Sequence, residues 1–452
     1  MSNFRQVDRG TGFLLPPSVD DWLPERHLAR FVVEVIEQLD LRAMVKAYRG
    51  SGSASYHPSV LLGLLVYGYA TGVFSSRKLE RATYDSVAFR FIAVNDHPDH
   101  DTIATFRRRF LTAIERLFVQ VLLLAREAGM LKLGTVALDG TKVHANASRH
   151  RALSYEHAAR IEAQLKAEVA ELLALAEAAD TADVPDGMMV PEELARREER
   201  LQRLAEAKAK IEARAKERFA REQAEYEAKI KAREEKAEAE GRKPAGTPPQ
   251  PPAAGPGAKD QVNLTDEASR IMPVAGGGFD QAYNAQVAVA AGSLLVVATD
   301  VVQAANDKEQ IKPMLDRLGR LPEALGKPET LLADSGYFSK ANVTACAGAK
   351  IAPLIAMGRD RHHLSWKDRF AAAPPAPEAP TPLEAMAHRL ASPEGRQTYA
   401  LRKQTPEPVF GVIKAVMGFR QFSLRGLENV NGEWKLVTLA WNVKRMFALT
   451  PA

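Results

Sequence analysis

Two short uncharged runs, Thr135–Leu138 and Thr330–Ala333, each end directly on an aspartate, and most of the chain between them cannot belong to their sheet. Both runs have the length and aliphatic make-up of buried strands. From Tyr155 to Glu240 the chain is rich in Ala, Glu, Lys and Arg. Ile161, Leu165, Val169 and Leu172 form one stripe at helical spacing, and Leu194, Leu201, Leu204 and Ile211 form another. A break around residues 180–191 predicts two helices folded back as an antiparallel, coiled-coil-like pair. Gly241–Asp260 then holds six prolines and four glycines, a flexible or polyproline-like linker from which no packed core can come. The chain therefore reads as an α/β core interrupted by a helical insertion.

Leaving out the insertion, the order is strand (135–138), hairpin (281–290 and 294–302), helix (307–321), strand (330–333), helix and strand (350–356), followed by C-terminal helices. That order predicts a mixed five-stranded sheet, 3-2-1-4-5, with antiparallel strands on one side and parallel crossovers on the other. The first 130 residues read as helices alone. Leu28, Phe31, Val32, Val35, Ile36 and Leu39 share one face after Pro24, Pro58 opens a second helix, and Ser75-Ser76 cap a third. A fourth, capped by Asp101 or Thr102, carries Arg107, Arg108 and Arg109. The expected organisation is 1–130 N-terminal helical domain, 131–154 with 261–452 α/β domain, 155–240 helical insertion, and 241–260 linker. Ala371–Pro382 is a smaller Ala/Pro surface loop.

Charge and cysteine content narrow the class. The formal charge is +5, and nine Lys/Arg against three Glu from Gly395 onward gather basic character at one end, which favours a polyanionic partner. A single cysteine, Cys346, excludes an internal disulfide framework and a multi-cysteine zinc site, and fits a reducing cytoplasm. Met1–Gly10 has no apolar core of a secretory signal. The apolar stretch 58–76 is broken by glycines, tyrosines and hydroxyl residues and reads as a buried core helix, so no membrane span is expected. His97, Asp99, His100 and Asp101 are close in sequence, but Pro98 and a capping role for Asp101 favour a loop over a metal cluster.

The acids carry the chemistry. In the predicted sheet the strands before Asp139 and Asp334 are parallel neighbours, so both carboxylates emerge at one C-terminal edge, where ligands bind in α/β folds. Two carboxylates so close repel each other unless a cation lies between them. Oxygen donors without His or Cys favour Mg²⁺ or Mn²⁺. A third acid, Glu407, follows Thr405-Pro406 in the first turn of a helix, with Phe410 and Ile413 facing inward and Lys414 two turns further along the same face.

With Tyr399, Arg402, Glu407 and Lys414, the sequence resembles insertion-sequence DDE transposases of bacteria, whose catalytic domain is ribonuclease H-like. The resemblance extends over Tyr56–Pro58, Ser76–Glu80, Thr105–Arg108, Leu138–Lys142, Tyr283–Gln286, Ala333–Tyr337 and Phe419–Asn429. One more residue separates Arg402 from Glu407 than the family signature has, so Lys403 holds the signature's basic position and both side chains are candidates. The resemblance implies DNA cleavage and strand transfer with two Mg²⁺ or Mn²⁺ ions held by Asp139, Asp334 and Glu407, on a homodimer assembled on DNA in the bacterial cytoplasm. Lys414, Arg402, Lys403, Tyr399, Arg107, Arg108, Arg109, Arg420 and Arg425 are its candidate DNA contacts. Two other readings stay open: a ribonuclease H-like nuclease without strand transfer, and a non-enzymatic DNA-binding scaffold. Core packing is expected for Trp434, Leu436, Leu439, Ala440, Val443 and Phe447.

Overall fold

The computed structural model describes residues 18–48, 55–178, 189–239, 241, 246–358 and 378–451. Contacts divide the chain into two compact units, Met1–Asn146 with Ile271–Ala452, and Ala147–Arg270. The turn expected between the insertion helices is outside the described residues as far as residue 188, and the Ala/Pro loop as far as residue 377.

The strands, in chain order, are β1 (Thr135–His144), β2 (Ala152–Ser154), β3 (Gln261–Asn263), β4 (Arg270–Pro273), β5 (Phe279–Ala290), β6 (Val296–Val302), β7 (Thr330–Ala333) and β8 (Ala352–Ile355). β1 pairs antiparallel with β5, from Val136 opposite Ala290 to His144 opposite Ala282. On its other side β7 lies parallel, but only over Thr135–Ala137. β8 continues in parallel beyond β7, while β6 pairs with β5 antiparallel. Across these five strands the order is β6-β5-β1-β7-β8.

Two details correct the sequence reading. Among the described residues the main sheet has six strands, because β4 also pairs with β5, a four-residue segment too short to announce itself. The first strand does not stop at Leu138. Asp139-Gly140 reads as a turn in isolation, yet β5 supplies a backbone partner for every residue through His144.

The N-terminal helices pack in the same unit as this sheet. Pro58–Thr71 is buried along nearly its whole length, including Leu61, Leu64, Leu65 and Tyr69, as expected of a core helix. Among the described residues no single helix is long and apolar enough to cross a membrane. Leu427–Leu449 packs against β6 and against the helices Pro58–Thr71 and Ile114–Glu127. Apolar surface on every side fits a helix buried this way. Trp434, Leu436, Leu439, Ala440 and Val443 are buried in it, and Phe447 is half-buried, its ring 5.7 Å from that of Phe31. Asn442 from this helix both accepts from the Val296 N–H and donates to the Val296 carbonyl, each at 2.8 Å, occupying backbone groups on β6.

A buried polar chain ties the N-terminal helices to the C-terminal one. Arg107 donates to Tyr69 Oη at 3.1 Å, Tyr69 Oη donates to Glu433 Oε1 at 2.9 Å, and Glu433 Oε2 accepts the Ser423 and Leu424 N–H groups at 2.9 and 3.0 Å. Burial and the Glu433 carboxylate hold the Tyr69 hydroxyl far above its ordinary pKa, so it stays a donor.

In the second unit, helices Tyr155–Ala178 and Val190–Ala239 run antiparallel. Glu168 pairs with Arg197 at 2.8 Å, Glu162 with Lys208 at 2.7 Å, and Tyr155 Oη donates to Glu212 at 2.7 Å, so numbers rise on one helix as they fall on the other. Leu165, Leu204, Ala207 and Ile211 form the seam, joined by Leu153 of β2 and Val262 of β3. At about 1.5 Å per residue the longer helix extends roughly 75 Å, and its second half outruns its partner. The proline-rich segment lies back along that half. Arg218 pairs with Asp260 at 2.9 Å and reaches the Gly255 carbonyl at 3.3 Å, and Arg233 reaches the Gly246 carbonyl at 2.5 Å.

Candidate active site

Asp139 sits at the point where β1 outruns β7. Thr135 is level with Thr330 in the parallel pair, and Asp139 and Asp334 each lie four residues further on, so the register carries both past the end of the pairing on the same side, where the Asp334 charge acts on Asp139. Each carboxylate is held by a nearby amide. The Gly140 N–H donates to Asp139 Oδ1 at 2.8 Å, and the Gly336 N–H donates to Asp334 Oδ1 at 2.9 Å, with Asp334 capping the turn Ser335–Tyr337.

Burial raises the Asp139 pKa to about 6, helped by the Asp334 and Asp307 carboxylates and opposed by the Gly140 N–H and the Arg402 guanidinium. A carboxyl raised in this way binds its proton more tightly folded than unfolded. Stability is therefore lost as pH climbs from about 4 to about 6, on the order of 3 kcal/mol by neutral pH. Asp139→Asn is expected to raise the thermal midpoint of the metal-free protein at pH 7 and to leave it nearly unchanged at pH 4. Equal midpoints at pH 7 would contradict this electrostatic account.

A second polar group lies beside the pair. Lys142 Nζ is 3.8 Å from Asp307 Oδ1, an oxygen that also accepts from Asn284 and Gln286 at 2.6 Å each. Burial lowers the Lys142 pKa, against the pull of Asp307, Asp139 and Asp334. Gly140 is pressed by this group. A Cβ there would lie 2.2 Å from Gln286 Nε2 and 2.7 Å from Asp307 Oδ1. Gly140→Ala is expected to cost about 1–3 kcal/mol of stability by overpacking, read by thermal denaturation; an unchanged midpoint would show that the group yields freely.

Glu407 lies in the first turn of the helix Pro406–Gly411, which packs against β1 and β5, and its side chain is exposed. The backbone then widens into a π-turn over Val412–Val416, so Lys414 does not follow Glu407 by a plain α-helical repeat as expected. Lys414 Nζ instead donates to Thr141 Oγ1 at 2.5 Å and to the Lys142 carbonyl at 2.8 Å, and burial lowers its pKa. Of the two basic candidates before Glu407, Arg402 is the one whose charge reaches Asp139, with its guanidinium 5.9 Å from the Tyr399 ring centre; Lys403 is exposed. Tyr399 packs against the sheet residues Ala137, Leu332 and Leu354.

The remaining candidates are scattered. Arg107 is buried in the Tyr69–Glu433 chain, Arg108 is exposed, and Arg109 is exposed, bonded to the Ala47 carbonyl with Tyr48 beneath it. Arg420 and Arg425 are exposed and bonded to the Lys414 and Asn146 carbonyls at 3.1 Å each. The His97–Asp101 group forms ordinary local contacts: Asp99, rather than Asp101 or Thr102, caps its helix, and His100 Nδ1 meets Glu80 at 2.7 Å.

The donor set around Asp139 and Asp334 is oxygen-rich and fits a hard divalent cation. Among the described residues, however, no three His, Cys, Asp or Glu side chains stand close enough together to form a metal cluster. Glu407 is therefore not gathered with the two aspartates here. Sequence reasoning missed Asp307, which it placed at a helix start. Lys142, Asn284, Gln286 and Tyr337 lie inside longer motifs of the sequence, which do not single them out. The available signal was Lys142 and Tyr337, each three residues after one of the two aspartates; nothing local marked Asn284, Gln286 or Asp307.

Both ends of the chain match transposase families. A transposase domain (DUF772) covers residues 17–109, and a transposase DDE domain covers residues 375–447, the segment with Glu407, Lys414 and the C-terminal helix. Together the matches support an insertion-sequence DDE transposase. No curated protein and no solved structure matches the chain.

Proposed function

We propose that this transposase cuts DNA at the ends of a mobile element and joins the freed ends to target DNA, using divalent ions held by Asp139, Asp334 and Glu407. The observation that carries the reading is the parallel register of β1 and β7, which brings Asp139 and Asp334 near each other just past the paired residues, with the Asp139 carboxyl raised by burial and by its neighbour. The pairing order β6-β5-β1-β7-β8 supports a ribonuclease H-like core. Glu407 completes the set from a helix packed on the same strand, and its exposure leaves it able to turn towards the pair when DNA is present.

When bound, Mg²⁺ or Mn²⁺ lowers the pKa of a water and stabilises the leaving oxygen of a phosphodiester. The protein's own groups do the rest. The Gly140 and Gly336 amides orient the two carboxylates, so that neither must be ordered on binding. Arg402 is placed to meet a phosphate beside Asp139, and Lys414 braces β1 next to it through Thr141. The exposed Arg108, Arg420 and Arg425 supply backbone contacts that position the duplex without reading its sequence. The test is incubation of the purified chain with labelled duplexes carrying the DNA that flanks its gene. Mg²⁺-dependent nicking at a fixed position followed by joining to a second duplex is expected. Nicking without joining would reduce the reading to a nuclease, and DNA binding with no nicking would leave a scaffold.

A further inference from the structure

Gln286 connects the two segments that carry the aspartates. Its Nε2 donates to Asp307 Oδ1 at 2.6 Å and to Asn284 Oδ1 at 3.0 Å, and Asn284 Nδ2 donates to the same Asp307 oxygen at 2.6 Å. Its Oε1 accepts the Tyr337 hydroxyl at 2.5 Å. Tyr337 closes the short turn that Asp334 caps, so one side of the group is fastened to the Asp334 segment. The other side is fastened to the Asp139 segment. Gly140 stands opposite Gln286 and Lys142 opposite Asn284 in the β1–β5 pairing, which puts all four on one face of the sheet. Asp139, one residue earlier, belongs to the other face, yet its carboxylate is bonded to the Gly140 N–H. The group thus presses on the peptide unit that holds Asp139, at the approach distances that only a glycine allows.

We infer that Asp307, acting with Gln286, is a positioning hub that sets the spacing of Asp139 and Asp334. Asp307 Oδ1 is already engaged by two amides and lies 3.8 Å from an ammonium, which suits an orienting role behind the ligands rather than a place among them. Tyr337, buried and held as a donor, transmits the same restraint to the Asp334 turn. The inference rests on Asp139 and Asp334 being the metal-holding pair.

Asp307→Asn keeps the size of the side chain and an oxygen for the two amide donors, but it removes the charge that strengthens those bonds and that faces Lys142. In the full-length protein we expect its Mn²⁺ dissociation constant, followed by the electron paramagnetic resonance signal of free Mn²⁺, to rise roughly tenfold or more. Single-turnover cleavage in Mg²⁺ should fall by about 10- to 100-fold. The dissociation constant for DNA should stay within about twofold, because the hub touches no exposed basic residue proposed to meet the duplex. Tyr337→Phe should move the same two quantities in the same direction, and the double variant should lose less than the product of the single losses, since both act through Gln286. Mn²⁺ binding and cleavage at wild-type levels in Asp307→Asn would overturn the hub. Should Asp307→Asn fail to fold, wild-type Mn²⁺ binding in Tyr337→Phe would overturn it instead. If the wild-type chain binds Mn²⁺ yet cuts no DNA, the transposition reading fails, and the Mn²⁺ measurements alone still decide for or against the hub.

Discussion

Asp139→Asn is expected to lower strand cleavage by about 10³-fold or more, equivalent to roughly 4 kcal/mol of barrier, while leaving DNA affinity nearly intact. Asparagine can still accept the Gly140 N–H, so the local backbone has little reason to move. What disappears is a negative charge at the place proposed for a cation. The same substitution relieves a carboxylate that burial and two neighbouring acids make costly to ionise. The variant should therefore be more stable than the parent at neutral pH without metal, and far less active with it. That opposed pair of changes separates a lost ligand from a damaged fold, which would lower both. Single-turnover cleavage and thermal denaturation on one preparation measure it, and normal cleavage would remove Asp139 from the site.

Glu433→Ala should destabilise the first unit by about 3–5 kcal/mol, the usual cost of stripping one partner from a buried charged network. Glu433 is fully buried and accepts from Tyr69 and from two backbone amides, and Arg107 depends on it through Tyr69. Removing the carboxylate leaves the buried Tyr69 hydroxyl and two N–H groups without an acceptor, while Arg107 keeps Tyr69 and the Phe74 carbonyl. Trp22, Trp434 and Trp441 fall within that unit and the sequence of the helical insertion holds no tryptophan, so tryptophan fluorescence reports unfolding of the first unit rather than of the insertion. Glu433→Gln, which keeps an acceptor oxygen, should lose clearly less. A loss under about 1 kcal/mol for the alanine variant would mean that the network is not what joins the N-terminal helices to the C-terminal one.

Much of the framework was legible because it depends on local pattern. The uncharged runs at 135–138 and 330–333 became neighbouring parallel strands, and the seam residues Leu165, Leu204 and Ile211 face each other as their spacing required. What escaped depends on partners distant in sequence. Thr141–His144 contains Lys and His and follows an Asp-Gly pair, so only its long pairing with β5 makes it a strand. Asp307 resembles a helix-starting aspartate until Asn284 and Gln286 are brought to it across the sheet. The proline-rich segment reads as a tether because nothing in its composition announces Arg218 and Arg233, which hold it along a helix. Glu407 was legible as the first turn of a helix, but a helix start says nothing about how far its carboxylate stands from two strands.

That distance is the point on which the proposed site turns. Replacing Mg²⁺ by Fe²⁺ in the DNA-bound protein, then adding ascorbate and peroxide, cuts the polypeptide wherever it lies beside the bound ion. Mass spectrometry of the fragments should place the cuts near residues 139, 334 and 407, with all three lost together in Asp139→Asn. Cuts near 139 and 334 with none near 407, or cuts elsewhere in the chain, would contradict a site built from these three acids.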